Sequence, residues 1–124
     1  MPQLQDLVLA LTRVVIGFMF ACHGAQKLFG AFGGHAMLHN PLMATAGVLE
    51  FAGGIMIALG LFTRPVAFVL SGEMAVAYFK VHFPGGFLPI VNHGELAVVY
   101  CFFYLFLAVH GAGKLSIDGA RGKA

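Results

Sequence analysis

Four apolar runs, at about residues 7–29, 42–61, 65–83 and 95–109, take up most of this chain. Their lengths come close to the ~20 apolar residues needed to cross a hydrocarbon core. Of its 124 residues 60% are hydrophobic and only 10% charged, and the mean hydropathy is +0.90. A soluble domain this small exposes too much surface for so few charges to cover, so much of that surface must face lipid. Backbone in lipid has to satisfy its own hydrogen bonds, and no alternation of strand period competes with helix. The expectation is an all-α integral membrane four-helix bundle, one domain over residues 1–124, surrounded by the lipid bilayer.

The breaks between runs fit that expectation. Residues 30–41 are Gly-rich and polar and end in Asn40-Pro41. Thr63-Arg64-Pro65 reads as a tight turn with Pro65 at the first helical position, where a missing N–H costs nothing. Pro84-Gly85-Gly86 and Asn92-His93-Gly94 bracket a third connection, and Gly111-Ala112-Gly113 stops the last helix. Four spans put both termini on the side of Arg64, Lys114, Arg121 and Lys123, opposite Lys27 and Lys80. The positive-inside rule then makes both termini cytoplasmic in a multi-pass inner-membrane protein. A net charge of +2 with scattered cations gives no nucleic-acid surface. The N-terminus lacks the positive region of a cleavable signal.

Ionisable groups within hydrocarbon are costly and point to function. Helix directions gather most of them in the outer half of the bundle. The first run brings His23 and Lys27 there, the second Glu50 at ~12 Å below its outer end, the third Glu73 and Lys80, and the fourth Glu95. His23 and Lys27 are four apart and share a face. Glu73 and Lys80 fall about 20° out of line, and Arg13 and Lys27 about 40°, so Arg13 joins one polar stripe on the first helix. Gly17, Gly24 and Gly53-Gly54 allow the close helix approach that buried polar pairing needs. A buried carboxylate balanced by a lysine can exchange protons, which makes Glu50 and Glu73 the candidate catalytic pair. His23, Lys27, Arg13, Lys80 and Glu95 are the candidate substrate-binding set. The competing reading is that these are ion pairs fixing helix register.

Other signals point elsewhere. His35 and His39 have helical ligand spacing but sit in a Gly-rich connection with no further zinc ligands, so no metal site is expected. Cys22 and Cys101 lie in apolar runs and read as small buried residues, without a disulfide framework. Most of the 13 Phe face lipid or pack, and some can wall a flat aromatic ligand. No flavin, nicotinamide or iron–sulfur fingerprint is present.

Several motifs together resemble the DoxX family of small four-helix membrane proteins. They are Arg13-x3-Gly17 with His23-Gly24-x2-Lys27-Leu28-Phe29-Gly30, then Glu50-x2-Gly53-Gly54 leading to Leu59-Gly60-Leu61-x-Thr63-Arg64. Glu73-Met74-x2-Ala77 and Asn92-x-Gly94-Glu95-x-Ala97 with Tyr100 follow in the family's order. The end, from Gly111 to Asp118, is similar to the family's Gly-Pro-Gly-x-x-Ser-x-Asp tail, with Ala112 in place of Pro and Lys114-Leu115 in place of a Pro-aromatic pair. The family is named after a subunit of an archaeal complex that oxidises thiosulfate and passes electrons to quinone. The resemblance therefore implies a quinone-linked oxidoreductase subunit, with quinone as cofactor and a redox partner subunit or further copies of itself as partners. A non-catalytic scaffold or accessory subunit of a redox or stress-response complex, or a small-solute transporter, remains the alternative, because fold does not dictate function.

Overall fold

The computed structural model describes residues 3–31, 33, 34, 36 and 38–123, all of them helix or connection, with no strand. Helix α1 spans Leu4–Phe29, α2 Pro41–Leu59 and α3 Thr63–Ala77. Helix α3 runs on through a π-helical turn, Tyr78–His82, and a 3₁₀ turn, Phe83–Gly85. A short α4, Pro89–Asn92, precedes α5, Glu95–His110, and α6, Ile117–Ala120, closes the chain. Three of these units are long and apolar enough to cross a membrane: Leu4–Phe29, Pro41–Leu59 and Thr63–Gly85. The 16-residue α5 is shorter, at ~24 Å of rise.

Local chemistry sets the ends. Gln3 and Asp6 form a capping box on α1, with Gln3 N donating to Asp6 Oδ2 at 3.1 Å. Asn40 Oδ1 accepts from Leu42 N and Met43 N at the start of α2, with Pro41 in the first turn. Gly60 ends α2 with φ +69°, and Gly111 ends α5. The turn after α2 occupies Gly60 to Phe62, and α3 already begins at Thr63. Pro65 is therefore the third helical residue rather than the first, still within the turn whose amides lack helical partners.

Two helix pairs dominate the packing, α1 on α2 and α3 on α5, while α2 and α3 touch more lightly. The first pair is nearly backbone to backbone. A Cβ added at Gly17 would lie 2.6 Å from Gly54 O, and one at Gly54 would lie 2.5 Å from Ala21 N. The second pair shares a core of Leu70 and Met74 against Ala97, Tyr100, Tyr104 and Leu107, joined by Phe20 of α1 and Ile57 of α2. Phe20 is buried, whereas Phe18, Phe68, Phe102 and Phe106 face outward, as a bundle in lipid requires.

One end of the bundle is locked by Arg13 and the C-terminal tail. Arg13 is buried and its guanidinium donates to the carbonyls of Ile57 (2.9 Å), Ala58 (3.3 Å), Ala112 (2.8 Å) and Leu115 (3.0 Å). It thereby satisfies helix-end carbonyls of α2 and pins the tail beneath them. Asp118, carried on α6, accepts from Phe62 N at 2.9 Å and Thr63 N at 2.8 Å, capping α3 from a distant part of the chain. Burial alone would raise the Asp118 carboxyl, but those two amides and nearby Arg121 hold it below its ordinary value. They also hold Phe62 in the left-handed region at φ +49°. Arg64 extends the lock by donating to the carbonyls of Val109 and His110 at the end of α5.

Candidate functional site

Toward the opposite end the four long helices separate around a cavity of about 320 Å³. Each contributes polar groups to it: His23 and Lys27 from α1, Glu50 from α2, Glu73 from α3 and Tyr100 from α5. Phe20, Met43, Met74 and Leu96 supply apolar wall. The helical spacing explains the convergence. His23 and Lys27 lie one turn apart, and the Gly-lined contact between α1 and α2 brings Lys27 within reach of Glu50.

At the centre, Lys27 Nζ donates to Glu50 Oε1 at 2.6 Å. The Glu50 side chain is 3% exposed and that of Lys27 24%, so the pair is anchored in the interior with its lysine stem nearer the surface. The Glu73 carboxyl lies close to that of Glu50 and within electrostatic reach of Lys27. Two carboxyl groups set close together repel when both are ionised, and a hydrogen bond between them needs a proton on one. Glu73 Oε1 and the Tyr100 and Tyr104 hydroxyls are buried with no partner among the described residues. Beside them, the His23 ring sits edge-on to Tyr100 with centroids 6.4 Å apart.

The expected site residues divide into two groups. His23, Lys27, Glu50, Glu73 and Lys80 line the one cavity. Arg13 and Glu95 do not. Arg13 shares an azimuth with Lys27, but the intervening residues put ~21 Å of rise between them, and its partners are the carbonyls at the other end. Angular alignment alone carried no axial information. Glu95, the first residue of α5, is exposed, although its neighbours Leu96 and His93 line the cavity. Lys80 is also exposed, at the cavity's edge. The π-turn Tyr78–His82 adds a residue to the local repeat, so the seven-residue alignment of Lys80 with Glu73 does not hold and no ion pair joins them.

Sequence reasoning missed Tyr104 and the role of Tyr100 as cavity wall. Their four-residue spacing within an otherwise apolar helix, continued by Ala97 and Leu107, was the available signal. It also missed Asp118 as a cap, which only the folded tail places beside Thr63. Cys22 and Cys101 are free, and Cys101 Sγ lies 3.5 Å from Ser71 Oγ. Of the His35 and His39 pair, His35 lies outside the described residues. Among the described residues, no three His, Cys, Asp or Glu side chains come together to hold a metal ion.

Comparison with known proteins gives this architecture a family. A DoxX family model matches residues 8–83, which carry Arg13, His23, Lys27, Glu50, Glu73 and Lys80. An uncharacterized protein of Haemophilus influenzae is 43% identical over 117 residues, covering 89% of this chain and 87% of that protein. The inner membrane protein YqjF of Escherichia coli is 28% identical over 127 residues, covering 95% of each. No solved structure matches the chain significantly. Three apolar helices of spanning length agree with that relative's location in the inner membrane. The chain therefore belongs to the DoxX family and is an inner-membrane protein.

Proposed function

We propose that this DoxX-family protein is a membrane-embedded redox subunit that interacts with a quinone or quinol in the cavity around Lys27, Glu50 and Glu73. In this reading α5 is a fourth, short span, and both termini face the cytoplasm, which puts the cavity beneath the outer headgroups. The observation that carries the proposal is the Lys27–Glu50–Glu73 trio on the wall of a cavity with aromatic and apolar sides. A register-fixing ion pair needs neither a second carboxyl group nor a space beside it.

The residues present suit a quinone ring. A volume of about 320 Å³ lies at the small end of the ~300–1,000 Å³ range for small-molecule sites and leaves room for one substituted ring. Phe20 and Tyr100 offer aromatic wall, and the apolar lining accepts ring substituents and the start of an isoprenoid tail. A bound quinone would supply a couple of two electrons and two protons, the electrons being exchanged with a redox partner subunit. The chain's own part is to bind and to manage protons. Lys27 and His23 donate hydrogen bonds toward ring oxygens. Glu50 and Glu73 hold one shared proton and can give it up or accept another at their carboxyl oxygens, while Lys27 balances the charge that remains. Lys80 at the cavity's edge lies toward the headgroups and steers polar groups at the mouth.

Binding of a short-tailed quinone analogue to the purified protein in nanodiscs tests this reading. Wild type should bind it saturably, and Glu50→Gln should weaken binding by about tenfold, the worth of one charge-assisted hydrogen bond. Equal affinity in the variant would remove the site assignment.

A further inference from the structure

A second open space lies along the seam between α2 and α3. It is a groove of about 290 Å³ walled by Leu49, Ala52 and Met56 of α2 and by Val66 and Val69 of α3, all apolar. Ala52 and Val69 are exposed, so the groove lies open to lipid. Its floor is Leu70 seated on Gly53, where an added Cβ would lie 2.9 Å from the Leu70 side chain. The cavity opens on the same seam, because Leu42 of α2 and Val76 of α3 line it and are half-exposed. Helical spacing ties the two spaces together. Ala46, Leu49, Gly53 and Met56 share one face of α2, and Pro65, Val69, Gly72 and Val76 share one face of α3. Ala46 and Val76 belong to the cavity, and the rest, except Gly72, to the groove. Glu50 of the cavity and Gly53 of the groove are separated by only ~4.5 Å of rise, so a single molecule reaches both. Gly72 stands at the passage between Val69 and Val76. It is exposed, and a Cβ there would meet nothing within 4 Å among the described residues.

Polarity sorts what the two spaces hold. The cavity offers the Lys27–Glu50 pair to a polar ring, and the groove offers only apolar contact. Lipid chains are as apolar as the groove, so an occupant gains from close packing against its walls rather than from leaving water. Between Val48 and Met56 the groove extends ~12 Å along α2. At about 1.2 Å per bond of an extended chain, that length takes about ten carbons. A second copy seated here would close the cavity's opening to lipid, whereas a chain attached to the ring uses both spaces at once. We infer that the α2–α3 groove is the tail subsite of the ring site, and that the ligand is a membrane lipid with a linear apolar chain that enters sideways between α2 and α3. The inference rests on the reading of the cavity as a ring site and adds to it a class of tail and a route of entry.

A quinone carrying a decyl chain with a photoreactive diazirine at its far end, crosslinked to the protein in nanodiscs and read by peptide mass spectrometry, tests the inference. Adducts should fall on Met56, Val66 or Val69, and an excess of the same quinone without its tail should remove them, because displacing the ring withdraws the chain. Gly72→Leu, which puts bulk at the passage, and Ala52→Phe, which fills the groove, should each cut these adducts about fivefold or more. Groove adducts that survive the tail-less competitor overturn the inference, since the groove then takes any membrane chain. Saturable binding of the tail-less quinone with tail adducts only at outward-facing positions such as Phe68 and Phe102 also overturns it and leaves the ring site standing. Crosslinks from the groove to a second copy overturn it in favour of a contact between copies. Neither saturable binding nor groove adducts overturns both readings. Undiminished groove adducts in folded Gly72→Leu and Ala52→Phe count against it equally, and if neither variant folds, the competition in wild type decides alone.

Discussion

Replacing Lys27 by Met should cost this protein more stability than replacing Lys27 and Glu50 together. The Lys27–Glu50 contact is 2.6 Å, with Glu50 at 3% exposure and Lys27 at 24%. Removing one partner of a fully buried pair costs roughly 3–5 kcal/mol, because the remaining charge is stranded. Lys27 is partly exposed, so the lower end, about 3 kcal/mol, is the expectation for Lys27→Met. Glu50→Gln leaves an ammonium that can still reach polar surroundings and should cost about 1–2 kcal/mol. The double variant, Lys27→Met with Glu50→Gln, buries no unpaired charge and should lie within about 1 kcal/mol of wild type. The cycle then gives a coupling energy of about 3–5 kcal/mol. Reversible unfolding in mixed micelles, followed by circular dichroism, measures all four corners. Additivity within about 0.5 kcal/mol would show that the two charges do not depend on each other, and the reasoning about the buried trio would fail with it.

Three further outcomes follow from the packing. Gly54→Val should cost ~3 kcal/mol or more, because its Cβ meets the Ala21 backbone at 2.5 Å, whereas Gly72→Ala, with nothing within 4 Å, should be neutral or slightly stabilising in the same unfolding assay. Arg13→Leu should release the tail, so trypsin cuts after Lys114 faster than in wild type, while quinone-analogue affinity changes by less than about twofold because the cavity lies ~21 Å away. The Asp118 carboxyl sits below its ordinary value, so its stabilisation is fully present above the unfolded value near ~3.9 and is lost as pH falls through the folded one; Asp118→Asn should remove that part of the acid-unfolding curve.

The bundle was legible because lipid imposes a single rule on every span, and apolar length with Gly and Pro breaks reports it. The cavity was legible in part for a related reason. Carboxylates such as Glu50 and Glu73 are too costly in hydrocarbon to be scattered, so helix direction alone brought them together with Lys27. Arg13 was misplaced because azimuth was weighed without rise, although its position on α1 already set it far from Lys27. Lys80 was misaligned because a π-turn changes the repeat without leaving a composition signal. Asp118 was invisible as a cap, since its partners Phe62 and Thr63 meet it only through the folded tail. Tyr100 was seen as a motif residue, but its unpaired hydroxyl is a property of packing.

Photo-crosslinking with a quinone analogue that carries a photoreactive group on its ring, read by peptide mass spectrometry in nanodiscs, puts the question to the cavity itself. The account predicts adducts on Met43, Met74 or Tyr100, abolished by excess unlabelled analogue. Adducts confined to outward-facing positions such as Phe18, Val99 and Phe102, and indifferent to competitor, would mean that the ring meets this protein only as it meets any lipid-facing surface.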